Sequence, residues 1–533
     1  RPEVPAPVRR VVARLLRKDP GERYQSADEL LDDLAGSTQP GDRITKHRRW
    51  AGAAAVIAVA VVLAGAWALW PRADAERDPS IVVLPFVDLR PDREDDSFSD
   101  GLTEEVIARL ASVPGLKVIS RTSAMHYKGT TQPLREIADR LQVAHVLEGS
   151  VRQAGARVRI TAQLIDARTD EHLWAGQFDH ELRDVLQVQE AMAREVASAL
   201  EVELGEREQR RLARQATRDP EADALYRRGR FLWNTRTREG HELALRYFGQ
   251  AIERDSSFAD AYAAIADVYL TGFQLNLFAE PEQEIYSRLT WAAERALALD
   301  EESADAHTAL ALALWWQRNW PGTERELLRA IQLNPGHATA RSWYSLLLRG
   351  MGRAEEALRE SRRAAELDPF GVVIRHNYGW NCYLSRDYVC ADEQFSRALE
   401  ITPYPGALRG LALVHSAERR HDEAVRAARQ AVELAPHRAD FLADLAYVQA
   451  RSGDRAAARE TLRRAKVDPF EAFNVGRAHV ALGEADSAFA WLERSNWRWP
   501  HRAVLSHPGL DPLRSDPRFA ALAERIEREM GIR

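Results

Sequence analysis

The sequence predicts a multidomain chain: a single transmembrane helix, then a small α/β domain with a mixed sheet, then an all-α repeat solenoid. Three observations carry that prediction. An uncharged apolar run fills residues 50–70. Strand-like and helix-like patterns alternate over residues 80–205. Small residues and prolines then recur about every 34 residues across most of the rest.

Composition narrows the function before any motif does. Of 533 residues, 29% are charged and 45% hydrophobic, the balance of a globular protein and not of a disordered tail. Lys and Arg number 74 against 80 Asp and Glu, leaving a net charge of −6. A mildly acidic chain argues against nucleic acid as the main partner. Two cysteines are too few for a disulfide framework or a zinc finger. The chain begins on Arg1 and not on Met, so a preceding segment is expected.

Residues 1–35 read as two short helices. Val8, Val11, Val12, Leu15 and Leu16 share one face, and Asp19-Pro20-Gly21 breaks the run. Ser26 with Glu29 forms a capping box for the second helix, which carries Ala27, Leu30, Leu31 and Leu34. Two such helices cannot bury a core alone. The string LLRKDPGERYQSADELLDDL resembles the last two helices of bacterial Hanks-type Ser/Thr protein kinases. That resemblance implies a kinase remnant in which Arg23 would pair with a Glu this chain does not hold. The Gly-rich loop, the ATP-binding Lys and the catalytic and metal-binding Asp residues are also missing from the sequence. ATP and Mg²⁺ would therefore enter only through a kinase part preceding residue 1, and no cofactor is expected in this chain. A DPFG string at Asp368–Gly371 lies among the repeats, outside any kinase context.

Residues 36–49 read as a basic juxtamembrane linker carrying Arg43, Lys46, Arg48 and Arg49. Trp50 to Trp70 then has the length to cross a bilayer core of roughly 30 Å as a helix. Its two end tryptophans suit the interfaces, and the upstream basic excess places that side in the cytoplasm. The expectation is a single-pass inner-membrane protein with an extracytoplasmic carboxyl-terminal region. A buried core helix and a signal peptide cleaved near Ala73 or Ala75 are the competing readings.

In residues 80–205, Ile81–Phe86 reads as a buried strand and Ser99–Leu110 as a helix. Lys117–Ser120 reads as a second strand and Leu134–Leu141 as a second helix. Val143–Gln153 and Arg157–Asp166 alternate around Ala154-Gly155-Ala156 as an antiparallel hairpin, His172–Phe178 adds a strand, and a long helix follows from Asp184. The acidic run Asp92–Asp96 fails EF-hand spacing and reads as a solvated loop before a helix cap. The strings SIVVLPFVDL, FSDGLTEEVIARL, GLKVISRTS, VLEGSVRQAGARVRITAQLIDA and EHLWAGQFD resemble the TolB-like periplasmic domain. That resemblance implies a role in assembly and interaction rather than chemistry.

The repeats occupy residues 217–500, with residues 501–533 as a capping segment. Ala251, Ala296, Ala330, Ala364, Ala398, Ala431 and Ala465 step by 45, 34, 34, 34, 33 and 34. Pro335, Pro369, Pro403, Pro436 and Pro469 close successive units. The long first step fits an insertion near Thr271–Pro281. A helix–turn–helix unit of this period is the tetratricopeptide repeat, and about eight hairpins are expected. In that family ligands meet one face of the first helices. The matching positions are Trp315, Arg349, His376, Trp380, Tyr383 and Arg409, an aromatic and cationic stripe suited to a protein or peptide ligand. Packing between helices is the competing reading for Trp315 and Trp380, and plain solvation for Arg349 and Arg409. Cys382 and Cys390 lie on the two helices of one hairpin. They either form a disulfide or are held apart by helix packing. No metal-ligand spacing or nucleophile motif is present in the sequence.

The expected function is that of a membrane-anchored signalling protein: the sensor or docking part of a Ser/Thr protein kinase, binding protein or peptide partners. A non-enzymatic tethered scaffold, and a cytoplasmic transcription- or cyclase-linked regulator, are the rival readings.

Overall fold

The computed structural model describes residues 79–529 apart from 90–95, 155–156, 182–184, most of 201–216, 275–276, 279, 437, 466–471 and 496–504. Before residue 79 it describes only Arg14 and Tyr24. There the Arg14 guanidinium lies 4.3 Å from the Tyr24 ring centroid. The expected kinase-like helices are otherwise outside the described residues, as are the basic linker and the 50–70 run.

Within the unit formed by residues 76–533, a sheet comes first. Strand β1 (Ser80–Val83) is buried on both faces, as its unbroken apolar run requires. It pairs in parallel with β3 (Lys117–Val118) and with β4 (His145–Ala154). The short β2 (Val87–Asp88) also pairs in parallel with β4. From β4 the sheet turns antiparallel through β5 (Arg157–Asp166) to β6 (Glu171–Glu181). Val158, Ile160, Ala162 and Leu164 of β5 point inward, while Arg157, Arg159 and Thr161 face water. Helices α1 (Ser97–Ala111), α2 (Arg121–Met125), α3 (Leu134–Leu141) and α4 (Val185–Ala199) complete this layer. Leu102, Val106, Leu110, Met192 and Val196 cover the sheet. Asp96 precedes α1, but its carboxylate pairs with Lys128 at 2.9 Å and does not cap the helix.

Eight helix pairs follow among the described residues. They are α5 (Pro220–Trp233) with α6 (Arg238–Arg254), α7 (Ala259–Gln274) with α8 (Glu282–Leu299), and α9 (Ala304–Trp316) with α10 (Trp320–Leu333). Next come α11 (Ala338–Gly350) with α12 (Ala354–Leu367), α13 (Val372–Leu384) with α14 (Tyr388–Ile401), and α15 (Pro405–Ala417) with α16 (His421–Leu434). The last are α17 (Ala439–Arg451) with α18 (Arg455–Arg464) and α19 (Ala472–Leu482) with α20 (Ala485–Arg494). A 3₁₀ turn (Pro508–Leu513) and α21 (Pro517–Glu529) end the chain's described part.

This is the tetratricopeptide pattern, and its repeated small residues show why. Ala244, Ala357, Ala391, Ala424, Ala458 and Ala488 are buried where second helices meet first ones. A Cβ on Gly379 would sit 2.7 Å from the Phe395 ring, so only glycine lets that ring lie against α13. The turn inside seven of the pairs uses one left-handed residue: Arg236, Arg318, Gly352, Arg386, Arg419, Gly453 or Gly483. The long first step is absorbed by the longer helices α7 and α8 and the loop between them.

Two expectations are corrected here. The described chain is a mostly helical repeat solenoid with a small mixed sheet, and among the described residues no helix is long and apolar enough to cross a membrane. The first helices α9 to α17 have 13 residues each, a rise of about 20 Å against a bilayer core of roughly 30 Å. The longest, α8, has 18 residues but carries Glu282, Glu284, Arg288, Glu294 and Arg295. Among the described residues the fold class with a transmembrane helix is thus corrected to a helical solenoid with a small mixed sheet, and the single-pass inner-membrane localisation finds no spanning helix there; the 50–70 run lies outside them.

Candidate functional site

The site is built on the first helices. Helix α7 packs on α9, and α11, α13, α15, α17 and α19 pack in series. No comparable packing joins successive second helices among the described residues. The array therefore curves with its first helices inside.

The six expected site residues divide into core, lattice and cavity. Trp315 is 5% exposed and meets Trp320 and Trp343 edge-on, with centroids 5.8 and 5.6 Å away. Tyr383 is 1% exposed, and burial pushes its phenol well above the usual range. Its ring meets Trp380 at 5.6 Å and His507 of the carboxyl-terminal segment at 5.4 Å. Trp380 is half-buried, and its indole N–H donates to His376 Nε2 at 3.1 Å. An indole can only donate, so the proton of the neutral imidazole sits on Nδ1. That atom is buried without a hydrogen-bond partner. Burial, then the Arg409 and Arg349 charges, push His376 down to about 3, so its ring is neutral at pH 7.

Arg409 lies 5.3 Å over the Trp380 ring. It donates through Nε to Asp444, through Nη1 to Asp440 at 3.4 Å and through Nη2 to Asn474 at 3.2 Å. Asp444 also accepts from Arg477, a fully buried arginine. Asp440 accepts a second contact from Arg438 at 2.8 Å. Burial opposes the charge on Arg409, but the two aspartates outweigh it and raise the group. This is an ion lattice across α15, α17 and α19 rather than a stripe of solvated cations.

Arg349 differs. Its Nη1 donates to the Asn381 amide oxygen at 3.0 Å, and no carboxylate of the described residues pairs with it. Burial pulls the guanidinium down to about 10. The structure thus groups His376, Trp380, Tyr383 and Arg409, reaches Arg349 along α11 and α13, and leaves Trp315 in the core of an earlier pair. Sequence reasoning missed Asn381, Asp440, Asp444, Asn474 and Arg477. Asp440/Asp444 and Asn474/Arg477 sit four and three apart on neighbouring first helices, and that spacing was the available signal. Cys382 and Cys390 are bonded, with Cα atoms 5.7 Å apart, and tie α13 to α14.

The sheet domain docks on the same solenoid. Glu104 of α1 accepts from Arg230 of α5 at 2.7 Å and pairs with Arg121 at 3.0 Å. Burial raises Glu104, but the Arg230 and Arg121 charges outweigh it and keep the carboxylate ionised. Behind Arg230, Asp267 of α7 lies 3.4 Å away, and Asp305 of α9 accepts from His337 at 2.8 Å. Burial, then Asp305, push Asp267 up. At the turn between α12 and α13, Asp368 Oδ1 accepts from the hydroxyls of Ser120 at 2.6 Å and Ser123 at 2.7 Å. Ser120 N donates to the Leu367 carbonyl at 2.7 Å, and Phe370 N to Ser123 Oγ at 2.8 Å. The Phe370 ring stacks on His126 at 4.2 Å and joins the sheet-domain core. The DPFG string is this dock.

Comparison with known proteins places limits on the reading. Residues 77–195 match the family model described as HilA/YgeH-like transcriptional regulator, second domain. The Rhizobium meliloti protein named "Putative adenylate cyclase 3" is 38% identical over 241 residues, 45% of this chain and 41% of that protein. The chain therefore spans about two fifths of that relative's length. Among solved structures, PilF of Pseudomonas aeruginosa shares 21% identity at a TM-score of 0.32, covering 40% of this chain and 92% of that one. YrrB, a tetratricopeptide repeat protein with an unusual peptide-binding site, shares 24% at 0.26, covering 38% and 93%. Likenesses at such scores add nothing to the repeat assignment, which stands on the helix pairs above. None of these matches is to a protein kinase or a TolB-like protein, so those two resemblances gain no support.

Proposed function

We propose that this chain is the non-catalytic binding and scaffolding part of a larger regulatory protein, whose repeat solenoid takes a protein or peptide partner. The observation that carries it is the inner face of α11 to α19. Half-buried Trp380 and the Arg409 lattice are held there on rigid helices, in the manner of a preorganised recognition surface. The sheet domain is docked on the outer end of this array through Glu104 and at the α12–α13 turn through Ser120 and Ser123. The transcriptional-regulator family model and the cyclase name of the relative favour a regulator of that general kind over the kinase reading. The lattice also limits the mode of binding. Arg409 is held by Asp440 and Asp444, so a ligand meets the aromatic edge of Trp380 before it meets a spare charge. A photo-crosslinking residue in place of Trp380 tests this against one in place of Trp291, which is 56% exposed on the second helix α8. Crosslinks to a bound partner from position 380 alone are expected. Crosslinks from 291 alone, or from both equally, would refute an inner-face site.

A further inference from the structure

The carboxyl-terminal segment closes part of the inner face, and a cavity remains beneath it. His507 sits between Tyr383 and Phe473, with ring centroids at 5.4 and 5.5 Å, and meets Arg477 Nη1 at 2.8 Å. Asp511 takes a two-pronged contact from Arg386, 2.8 Å to each oxygen. Between this segment and helices α11 to α13 lies a cavity of about 550 Å³, within the range of small-molecule sites. Arg349 and Asn381 line one side, and Ser506, Arg514 and Glu527 line the other.

We propose that this cavity is a binding site for a small molecule with a single anionic head, a carboxylate or a phosphate. The chemistry of its walls carries the assignment. Asn381 Nδ2 is surrounded by acceptors: Ser345 Oγ at 3.3 Å, the Ala357 carbonyl at 3.4 Å and Ser361 Oγ. Its oxygen is therefore fixed toward Arg349 and aims the guanidinium fork. A neutral amide orients that charge without cancelling it. Three other cations of the first helices meet carboxylates: Arg409 with Asp440 and Asp444, Arg477 with Asp444, Arg230 with Glu104; Arg375 instead spends its guanidinium on the Pro369 carbonyl and the Gln394 amide oxygen, away from the cavity lining. Arg349 faces the cavity with an amide instead, and a cation withdrawn from water stabilises an incoming anion more than a solvated one does. Arg514 adds a second guanidinium, anchored through Nε to Asp511 at 2.8 Å. Glu527 limits the fit. A molecule with anionic groups spread along its length would meet that carboxylate. The cavity adjoins the partner surface, since Asn381 follows Trp380, but its assignment does not rest on that surface binding a partner.

The test is isothermal titration of the full chain at fixed ionic strength. Gluconate serves as the carboxylate probe, glycerol 3-phosphate as the phosphate probe, and chloride as the control. Saturable 1:1 binding of one probe is expected, and which one binds identifies the head group. Arg349→Gln should weaken it at least tenfold. Should that variant fail to fold, Arg514→Gln on the opposite wall should show the same loss while leaving the Asn381 contacts untouched. Wild-type protein that binds neither probe below about 10 mM would overturn the assignment. So would binding that survives unchanged in a folded Arg349→Gln or Arg514→Gln protein.

Discussion

Replacing Phe370 with Ala should weaken the docking of the sheet domain on the solenoid without unfolding either. The ring is 9% exposed, stacks on His126 with an interplanar angle of 18°, meets Tyr127 at 5.9 Å and lies 5.0 Å from the Arg140 guanidinium. Truncation to Ala withdraws on the order of 120 Å² of apolar contact, about 3 kcal/mol at ~25 cal/mol/Å². That agrees with the low end of measured Phe→Ala costs, about 3–5 kcal/mol. The loss falls on docking because Phe370 sits on a turn between α12 and α13 while its ring belongs to the other domain's core. The sheet domain keeps its own core of Val82, Leu102, Val146 and Met192. Amide hydrogen exchange reads the difference. About 3 kcal/mol corresponds to roughly a hundredfold faster exchange for amides exposed by undocking. That acceleration is expected in Arg121–Met125, with α9 and α10 unchanged. Equal acceleration across α9, α10 and α2 would mean that Phe370 stabilises the whole chain, and no acceleration in α2 would mean that it does not hold the dock. Either result refutes the reasoning.

Three further outcomes follow from the same contacts. Asp444→Ala leaves Arg409 and the buried Arg477 without their shared carboxylate and should cost about 3–5 kcal/mol by urea titration; a loss below about 1 kcal/mol would deny the lattice its role. The folded His376 pKa, about 3, lies below the unfolded value of about 6.5, so between those limits the unfolded chain binds the extra proton. Stability should therefore rise with pH across that window, with this residue contributing up to about 1.4 kcal/mol per pH unit, and His376→Gln should flatten the slope measured by denaturation at stepped pH. Arg419 is exposed and holds φ at 64°, so Arg419→Gly should stabilise by about 0.5–1 kcal/mol in thermal melts; a lower Tm would show that its side chain matters more than the turn.

What could be read from the sequence depended on the range of the interaction behind each feature. The repeat was legible because each unit needs the same small residues where helices touch, so Ala364 and Ala398 recur at a fixed spacing and are both buried. The strand pattern of β5 was legible for a related reason, since one wet face and one dry face write an alternation directly into Val158–Leu164. The dock was not legible. Ser120 and Asp368 lie 248 residues apart, and their hydrogen bond leaves no local pattern. A Phe in a turn where other repeats place Gly336 or Tyr404 was the available hint. The candidate stripe was legible as a helical face, but the pairing of its charges was not, because Asp440 and Asp444 come from the next repeat. Arg236, Arg318, Arg386 and Arg419 in left-handed turns were also hidden, since arginine gives no sign of that conformation.

A solenoid whose repeats touch only their neighbours behaves as a spring: its pitch flexes, and its ends fray independently of its middle. This one is pinned. The sheet domain grips the first pair through Glu104 and Arg230 and the turn leading into the fifth through Asp368, Phe370 and their serine partners. The carboxyl-terminal segment then grips the fifth pair through Arg386 and Asp511 and the eighth through His507 and Arg477. Two braces meeting at the fifth pair turn a coil with many soft bending modes into a truss of two stiff spans. A force or ligand that moves one span would reach the other across the fifth pair, the hairpin stapled by Cys382 and Cys390.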